Sequence, residues 1–339
     1  MKMKRRRFVQ ASGLVLSHGC LSTCFPVYAT DAAGYTAALI GDEVFLEHHI
    51  SRDHPESPGR ITAFNRLLSQ SPPIDNLLHE KPGGLFENWL TSVHTPQHIE
   101  SLRTHFPVAH RVAASAVSAA LHAIDLVAGN IASRVFCATR PPGHHALNSG
   151  KEEGFCYYNH IAIAARYAQR KHGLKKILII DWDYHHGNST EAIFYPDPSV
   201  LFFSTHDQFA YPGTGAPEKR GEGKGHGFNV NIHLPCSTGD DEILSVYHEK
   251  LVPLAEQFRP ELVLVSAGFD SRRDDLLGCF DITDQGFRKL TELAIQIADK
   301  YSQGRLVSVL EGGYNLQGNA MAMYAHLDTL ARTPVRMPG

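Results

Sequence analysis

Apolar positions along this chain fall into short runs separated by longer amphipathic stretches. Runs at Tyr35 to Ile40, Val135 to Thr139, Ile177 to Asp181, Val200 to Ser204, Phe228 to Ile232, Leu262 to Ser266 and Leu306 to Leu310 have the length of buried strands. Three- and four-residue spacing predicts helices over Ile61 to Ser69, Arg111 to Ala128, His160 to His172, Asp240 to Phe258 and Asp284 to Tyr301. In the second of these, Val112, Ala116, Ala119, Ala120, Ala123, Ile124 and Val127 share a face, and Gly129 ends the pattern. Thr95-Pro96 starts a further helix, with Thr as cap and Pro in the first turn. Residues 47–60, with Pro55, Pro58 and Gly59, read as an irregular loop, and Pro72-Pro73 and Pro82-Gly83-Gly84 punctuate a connection. Strand–helix alternation implies right-handed crossovers. The expectation is a single α/β domain with a mostly parallel central sheet flanked by helices.

Polar motifs follow the strands in phase. Arg140-Pro141-Pro142-Gly143-His144-His145 follows the second run, and Asp181, Asp183, His185 and His186 follow Ile180. Thr205-His206 and the loop Tyr211 to Gly215 follow Ser204, Asp270 follows Ser266, and Glu311-Gly312-Gly313-Tyr314 follows Leu310. In an open parallel sheet the carboxyl ends of the strands form the ligand crevice, so five motifs converge on one rim.

Composition narrows the classes. The 339 residues are 43% apolar and 20% charged, which suits a substantial core, and a net charge of −3 gives no electrostatic footprint for nucleic acid. No G-x-G-x-x-G or P-loop is present, which argues against dinucleotide and nucleoside triphosphate chemistry. Of 21 histidines, isolated ones such as His172 and His326 read as solvated surface residues, whereas the paired ones beside aspartates do not. Cys137, Cys156, Cys236 and Cys279 show no C-x-x-C spacing and read as buried thiols, with one bridge left open. Residues 1–29 read as a leader and 30–339 as the catalytic domain. Lys4-Arg5-Arg6-Arg7-Phe8-Val9-Gln10 has the twin-arginine form, the apolar stretch from Ala11 is too short to span a bilayer, and Val27-Tyr28-Ala29 offers a cleavage site. The expectation is a periplasmic or secreted protein without a membrane span, the alternative being a cytoplasmic one.

Asp183, His185 and Asp270 offer one nitrogen and two oxygen ligands. That set suits catalytic Zn²⁺ with an open position, and Fe²⁺ or Co²⁺ would also be accommodated. Asp270 taken alone reads equally as a helix cap. His144 and His145 stand on a turn stiffened by Pro141 and Pro142 and can move protons, with Asp181 and Asn188 as candidate orienting partners. Tyr314 can donate its hydroxyl to a developing oxyanion. No serine or cysteine nucleophile has a base in reach by motif, so the equipment fits metal-assisted hydrolysis of a carbonyl compound.

With Arg140-Pro-Pro-Gly-His-His-Ala146, Gly154-Phe-Cys-Tyr157, Asp181-Trp-Asp-Tyr-His-His-Gly-Asn188, Tyr211-Pro-Gly-Thr-Gly215, Ala267-Gly-Phe-Asp270 and Glu311-Gly-Gly-Tyr-Asn315, the chain resembles the histone deacetylase family from about Thr36 onward. Trp182 and Asn188 point to its class II and bacterial amidohydrolase branches. The resemblance implies the arginase/deacetylase fold, with Zn²⁺ on Asp183, His185 and Asp270. It pairs His144 with Asp181 and His145 with Asn188, makes His145 the general base and acid, and has Tyr314 polarise the substrate carbonyl. It also implies a substrate channel of Gly154, Phe155, Tyr211 and Leu277, and a structural K⁺ at Asp181, Asp183, His185, Ser204 and Thr205. The implied reaction removes acetyl or short acyl groups from acyl-lysine-type amines in a peptide or protein. Acetylpolyamine or other small acylamine deacetylation is the alternative, and a non-catalytic acyl-ligand-binding module the remaining one. Two departures stand out: Ser189 replaces a glycine common in the family, and Leu277 is apolar where polyamine-specialised members can carry a glutamate.

Overall fold

All seven apolar runs form strands, and an eighth joins them. A computed structural model describes residues 34–84 and 87–335, so the leader expectation lies outside the described residues. The strands are β1 (Tyr35–Ile40), β2 (Leu77–Glu80), β3 (Ala132–Cys137), β4 (Ile177–Asp181), β5 (Val200–His206), β6 (Asn229–His233), β7 (Leu262–Ala267) and β8 (Leu306–Leu310). They make one parallel sheet in the order β2-β1-β3-β8-β7-β4-β5-β6. The edge strand β2 is only four residues long and lies between proline-rich segments, too short to carry a readable period.

The helices are α1 (Gly59–Gln70), α2 (Pro96–His105), α3 (Pro107–Ala128), α4 (His160–His172), α5 (Asn188–Phe194), α6 (Asp240–Val246), α7 (Val252–Phe258), α8 (Asp284–Tyr301) and α9 (Leu316–Arg332). They pack in two groups. One joins α2, α3, α4 and α5; the other joins α1, α9 and α8 with α6 and α7. Every residue of β4, β7 and β8 is buried, which requires cover on both faces. Among the described residues α3 alone is long and apolar enough to cross a bilayer, yet most of it is buried against α2, α4, β3 and β8.

Strand order places the crevice. From β4 the chain moves outward through β5 and β6, then returns to insert β7 on the other side of β4 and continues to β8. That reversal between β4 and β7 is a topological switch point, where the turns leaving adjacent strands diverge and open a cleft at their carboxyl ends.

Several expectations are corrected. Asp240 to Phe258 is not one α-helix: Tyr247–Leu251 widens into a π-turn, with the Val252 N–H reaching back to the Tyr247 carbonyl. Pro253 lacks an N–H, and the wider turn absorbs the missing bond. Periodicity predicts neither α5 nor α9; Gly318, Asn319 and His326 dilute the apolar stripe of α9. Cys236 and Cys279 form a disulfide, while Cys137 and Cys156 are the buried thiols expected. His172 is partly buried and pairs with Asp125 at 2.7 Å.

His326 is fully buried instead of solvated. It bridges Thr291 Oγ1 (2.7 Å) and Ser308 Oγ (2.8 Å), among Phe136, Trp182 and Phe269. Burial pushes its pKa from 6.5 down to about 3. The unfolded chain therefore binds the extra proton between those values, and stability is lost as pH falls from 6.5 toward 3. Replacing His326 with Leu is expected to flatten this acid limb in a series of melting curves from pH 7 to pH 4; a profile parallel to wild type would show that His326 does not contribute to it.

Candidate active site

Asp183 and His185 leave β4 in one turn, and Asp270 leaves the neighbouring β7, whose Ser266 is in register with Asp181. Their ligand atoms lie within 4.8 Å of one another. His185 Nδ1 stands 3.1 Å from Asp183 Oδ1 and 3.0 Å from Asp270 Oδ2. Donors about 2.0–2.2 Å from one tetrahedral ion sit roughly 3.3 Å apart, so the cradle fits a divalent metal. Remaining lone pairs are used: the Tyr184 N–H donates to Asp270 Oδ1 (2.9 Å) and the Gly312 N–H to Asp183 Oδ2 (2.8 Å). Asp270 precedes no helix, so its alternative reading as a cap falls away. A Cβ at Gly268 or Gly312 would come within 2.1 Å of a ligand carboxylate oxygen, which excludes any side chain at either position.

Two buried carboxylates share one imidazole here. Burial and the Asp183 charge push Asp270 up to about 7. Asp183 is held well below the usual range because the His144 and His185 charges overcome its burial. Further positive charge between them, of the kind a divalent ion would supply, favours the ionised form of both carboxylates.

The tandem histidines are clamped from behind. Gly143 and His144 donate their N–H groups to Glu311 Oε2 at 2.6 and 3.2 Å. A Cβ at Gly143 would lie 2.5 Å from the Tyr158 carbonyl, so the turn needs glycine. His144 Nδ1 lies 3.1 Å from Asp181 Oδ2, and His145 Nδ1 lies 2.8 Å from Asn188 Oδ1, the two pairings the resemblance implies. Their environments diverge. Burial opposes charge on His144, but the Asp183 and Asp181 carboxylates outweigh it and raise its pKa well above the ordinary value. Burial and the charges of His144 and His185 push His145 well below it. Ser189 stitches the same region together, donating to the Ala146 carbonyl and accepting from Asn159 Nδ2.

Tyr314 is buried, and burial with the Asp270 charge raises its hydroxyl pKa well above 10, so it stays a donor. Phe155 meets its ring edge to face at 5.8 Å, and Tyr211 meets His145 the same way at 5.0 Å. A Cβ at Gly154 would strike both His145 and Tyr211, so the Gly154 backbone lies directly against both rings. Tyr211 is half exposed and Phe155 only partly buried, unlike core residues. Leu277 is 39% exposed, close to Asp270, whose carbonyl a Cβ at Gly278 would overlap. Ser204 and Thr205 lie on β5, on the opposite side of β4 from Asp270, with Ser204 opposite Asp181.

Periodicity and motif spacing missed the supports. Glu56 is fully buried, takes both Arg140 Nε and Nη2 at 2.6 Å, and pairs with Arg60. His186, unassigned by motif, lies 2.8 Å from Thr214 Oγ1 and 3.3 Å from Glu191, holding the loop that carries Tyr211. The available signal was proximity in sequence to motifs already singled out. Equilibrium dialysis against Zn²⁺ is expected to show one tight site per chain. Asp270→Asn should weaken it by more than the roughly 10–100-fold typical of an outer-shell change, with an unaltered circular dichroism spectrum; unchanged affinity would remove Asp270 from the ligand set.

Comparison with known proteins agrees with this geometry. The histone deacetylase domain matches residues 54–330. The chain is 36% identical over 296 residues to a probable deacetylase of Archaeoglobus fulgidus, covering 83% of this chain and 82% of that protein. It is 36% identical over 300 residues to the histone deacetylase-like amidohydrolase of Pseudomonas aeruginosa, covering 84% and 78% respectively. It spans less than two thirds of the length of plant and nematode relatives that it matches. The crystal structure of the HDA15 HD domain superimposes with a TM-score of 0.80 at 31% identity, covering 87% of this chain and 91% of that one. By this match, by its parallel sheet and by the cleft at the switch point, the chain belongs to the histone deacetylase family.

Proposed function

We propose that this chain is a zinc-dependent amidohydrolase that removes acetyl or another short acyl group from acyl-lysine-type amines. The observation that carries the reading is the convergence, in one cleft, of a three-ligand cradle, a neutral imidazole and a buried phenol hydroxyl. Zn²⁺ on Asp183, His185 and Asp270 would act as a Lewis acid on the acyl carbonyl and acidify the attacking water; the same donors accept Fe²⁺ or Co²⁺.

The chain's own residues supply the rest. His145, held neutral with Nδ1 toward Asn188, takes the water proton on Nε2 and later delivers it to the leaving amine. His144, charged between Asp181 and Asp183, stabilises negative charge as it develops. The Tyr314 hydroxyl donates to the acyl oxygen, adding to the polarisation that a bound metal would supply. Phe155 and Tyr211 hold an extended acyl-amine chain between two aromatic faces and exclude water, and the Gly154 carbonyl accepts the substrate amide N–H. Leu277 brings no charge to the mouth, which favours acyl-lysine over a polycationic acylpolyamine. A K⁺ held by Asp181 and Ser204 with the backbone of Asp183, His185 and Thr205 would stiffen the metal turn from below.

Zinc-loaded Tyr314→Phe should lose about 10²–10³ in kcat while keeping its metal; undiminished turnover would exclude Tyr314 from the chemistry. On an acetyl-lysine peptide and acetylputrescine, kcat/KM should favour the peptide. The reverse order would support the polyamine alternative, and no turnover of either by metal-loaded protein would leave a binding module. The basic leader and the Cys236–Cys279 bridge support export to an oxidising compartment. Fractionation with N-terminal sequencing should find a periplasmic chain beginning at Thr30, and an intact chain confined to the cytoplasm would refute export.

A further inference from the structure

Five residues past the metal ligand Asp270, the half-buried Asp275 turns its carboxylate onto a different part of the site. Its Oδ2 accepts from the N–H groups of Tyr314 (2.6 Å) and Asn315 (3.0 Å), and its Oδ1 accepts from the Leu277 N–H (2.9 Å). Asn315 returns the contact, donating Nδ2 to the Asp274 carbonyl (2.9 Å) while its Oδ1 caps α9 at the Gly318 N–H (3.0 Å). The carbonyl side of the same turn is gripped by Arg60. Its Nε donates to the Gly313 carbonyl at 2.6 Å, its Nη2 donates to that of Glu311, and its guanidinium lies 5.1 Å from the Tyr314 ring centre.

The turn needs this grip. Gly312 is glycine because of the metal carboxylates, and Gly313 sits at φ 118°, so two adjacent residues have unusual conformational freedom immediately before Tyr314. Nothing intrinsic to that backbone fixes where the phenol points. Charge-assisted bonds to the N–H groups of Tyr314 and Asn315 do so, at the start of a helix where negative charge is also favoured.

We propose that Asp275 is the positioning residue for Tyr314, and that through the Leu277 N–H it ties the phenol's placement to the channel mouth. This rests on the reading of Tyr314 as the group that polarises the acyl carbonyl. A catalytic group moved by about 1 Å can cost on the order of 10²-fold in rate.

The test is a double-mutant cycle in the full-length, zinc-loaded chain. Asp275→Ala should lower kcat by about 10–100-fold with a smaller change in KM. Asp275→Asn, which keeps one acceptor oxygen, should fall between it and wild type. In the Tyr314→Phe background, adding Asp275→Ala should change kcat by less than about twofold, because coupled residues are not additive. Two readouts do not depend on turnover. Bound zinc should be unchanged, and amide hydrogen exchange over residues 312–318 should quicken while β4 and β8 keep their protection. Equal losses in both backgrounds, or zinc loss that accounts for the lost rate, would overturn the proposal. If Asp275→Ala fails to fold, the same cycle is run with Asp275→Asn. If wild type turns over no acyl substrate, the deacetylase reading fails, and exchange over 312–318 still decides whether Asp275 holds the turn.

Discussion

Much of this structure answers one constraint, which is the burial of five carboxylates around a single cleft. Asp181, Asp183, Asp270, Glu311 and Glu56 are all inaccessible to solvent. An uncompensated buried charge costs several kcal/mol, so each must have its partners in place before the fold is stable. Glu56 is neutralised by Arg140 and Arg60, Asp181 by His144, and Glu311 binds the backbone of the histidine turn. Asp270 is left short of positive charge, because it shares the single imidazole of His185 with Asp183. Structural pairing and the metal cradle are thus one electrostatic arrangement.

The compensation network also sets two chemically identical histidines apart. His144 looks onto two aspartates, whereas His145 looks onto an amide and onto two other imidazoles. The two aspartates raise the pKa of the first ring against its burial, while burial and two neighbouring imidazoles lower that of the second. Arg60 links this network to the phenol, since the guanidinium that pairs with Glu56 also holds the carbonyls of the Tyr314 turn. The loop over residues 47–60, irregular in sequence, is in this way part of the site.

The strands and the metal triad were legible because they are written locally. Buried parallel strands are continuous apolar runs, and Asp183 and His185 sit two residues apart just beyond one of them. Asp270 needed the added premise that neighbouring strand ends share a rim. What stayed hidden depends on contacts distant in sequence: Asp275 beneath Tyr314, Glu311 under Gly143, and His326 between Thr291 and Ser308. The apolar residues around His326 in the chain hint at burial, but its hydrogen-bond partners come from α8 and β8. The π-turn at Tyr247–Leu251 was half legible, since Pro253 announces a fault in the helix but not how the backbone repairs it.

The reversal between β4 and β7 sets the order in which the site is assembled. His185 and Asp270 are 85 residues apart in the chain, yet they stand on adjacent strands. A growing polypeptide presents Asp183 and His185 long before Asp270 exists, and β7 must then pair along β4 to bring Asp270 beside them. Until β7 pairs with β4 the earlier two donors, one oxygen and one nitrogen, offer no geometry that would select among divalent ions. Any discrimination among ions at this three-donor cradle therefore belongs to the completed sheet and not to the nascent chain.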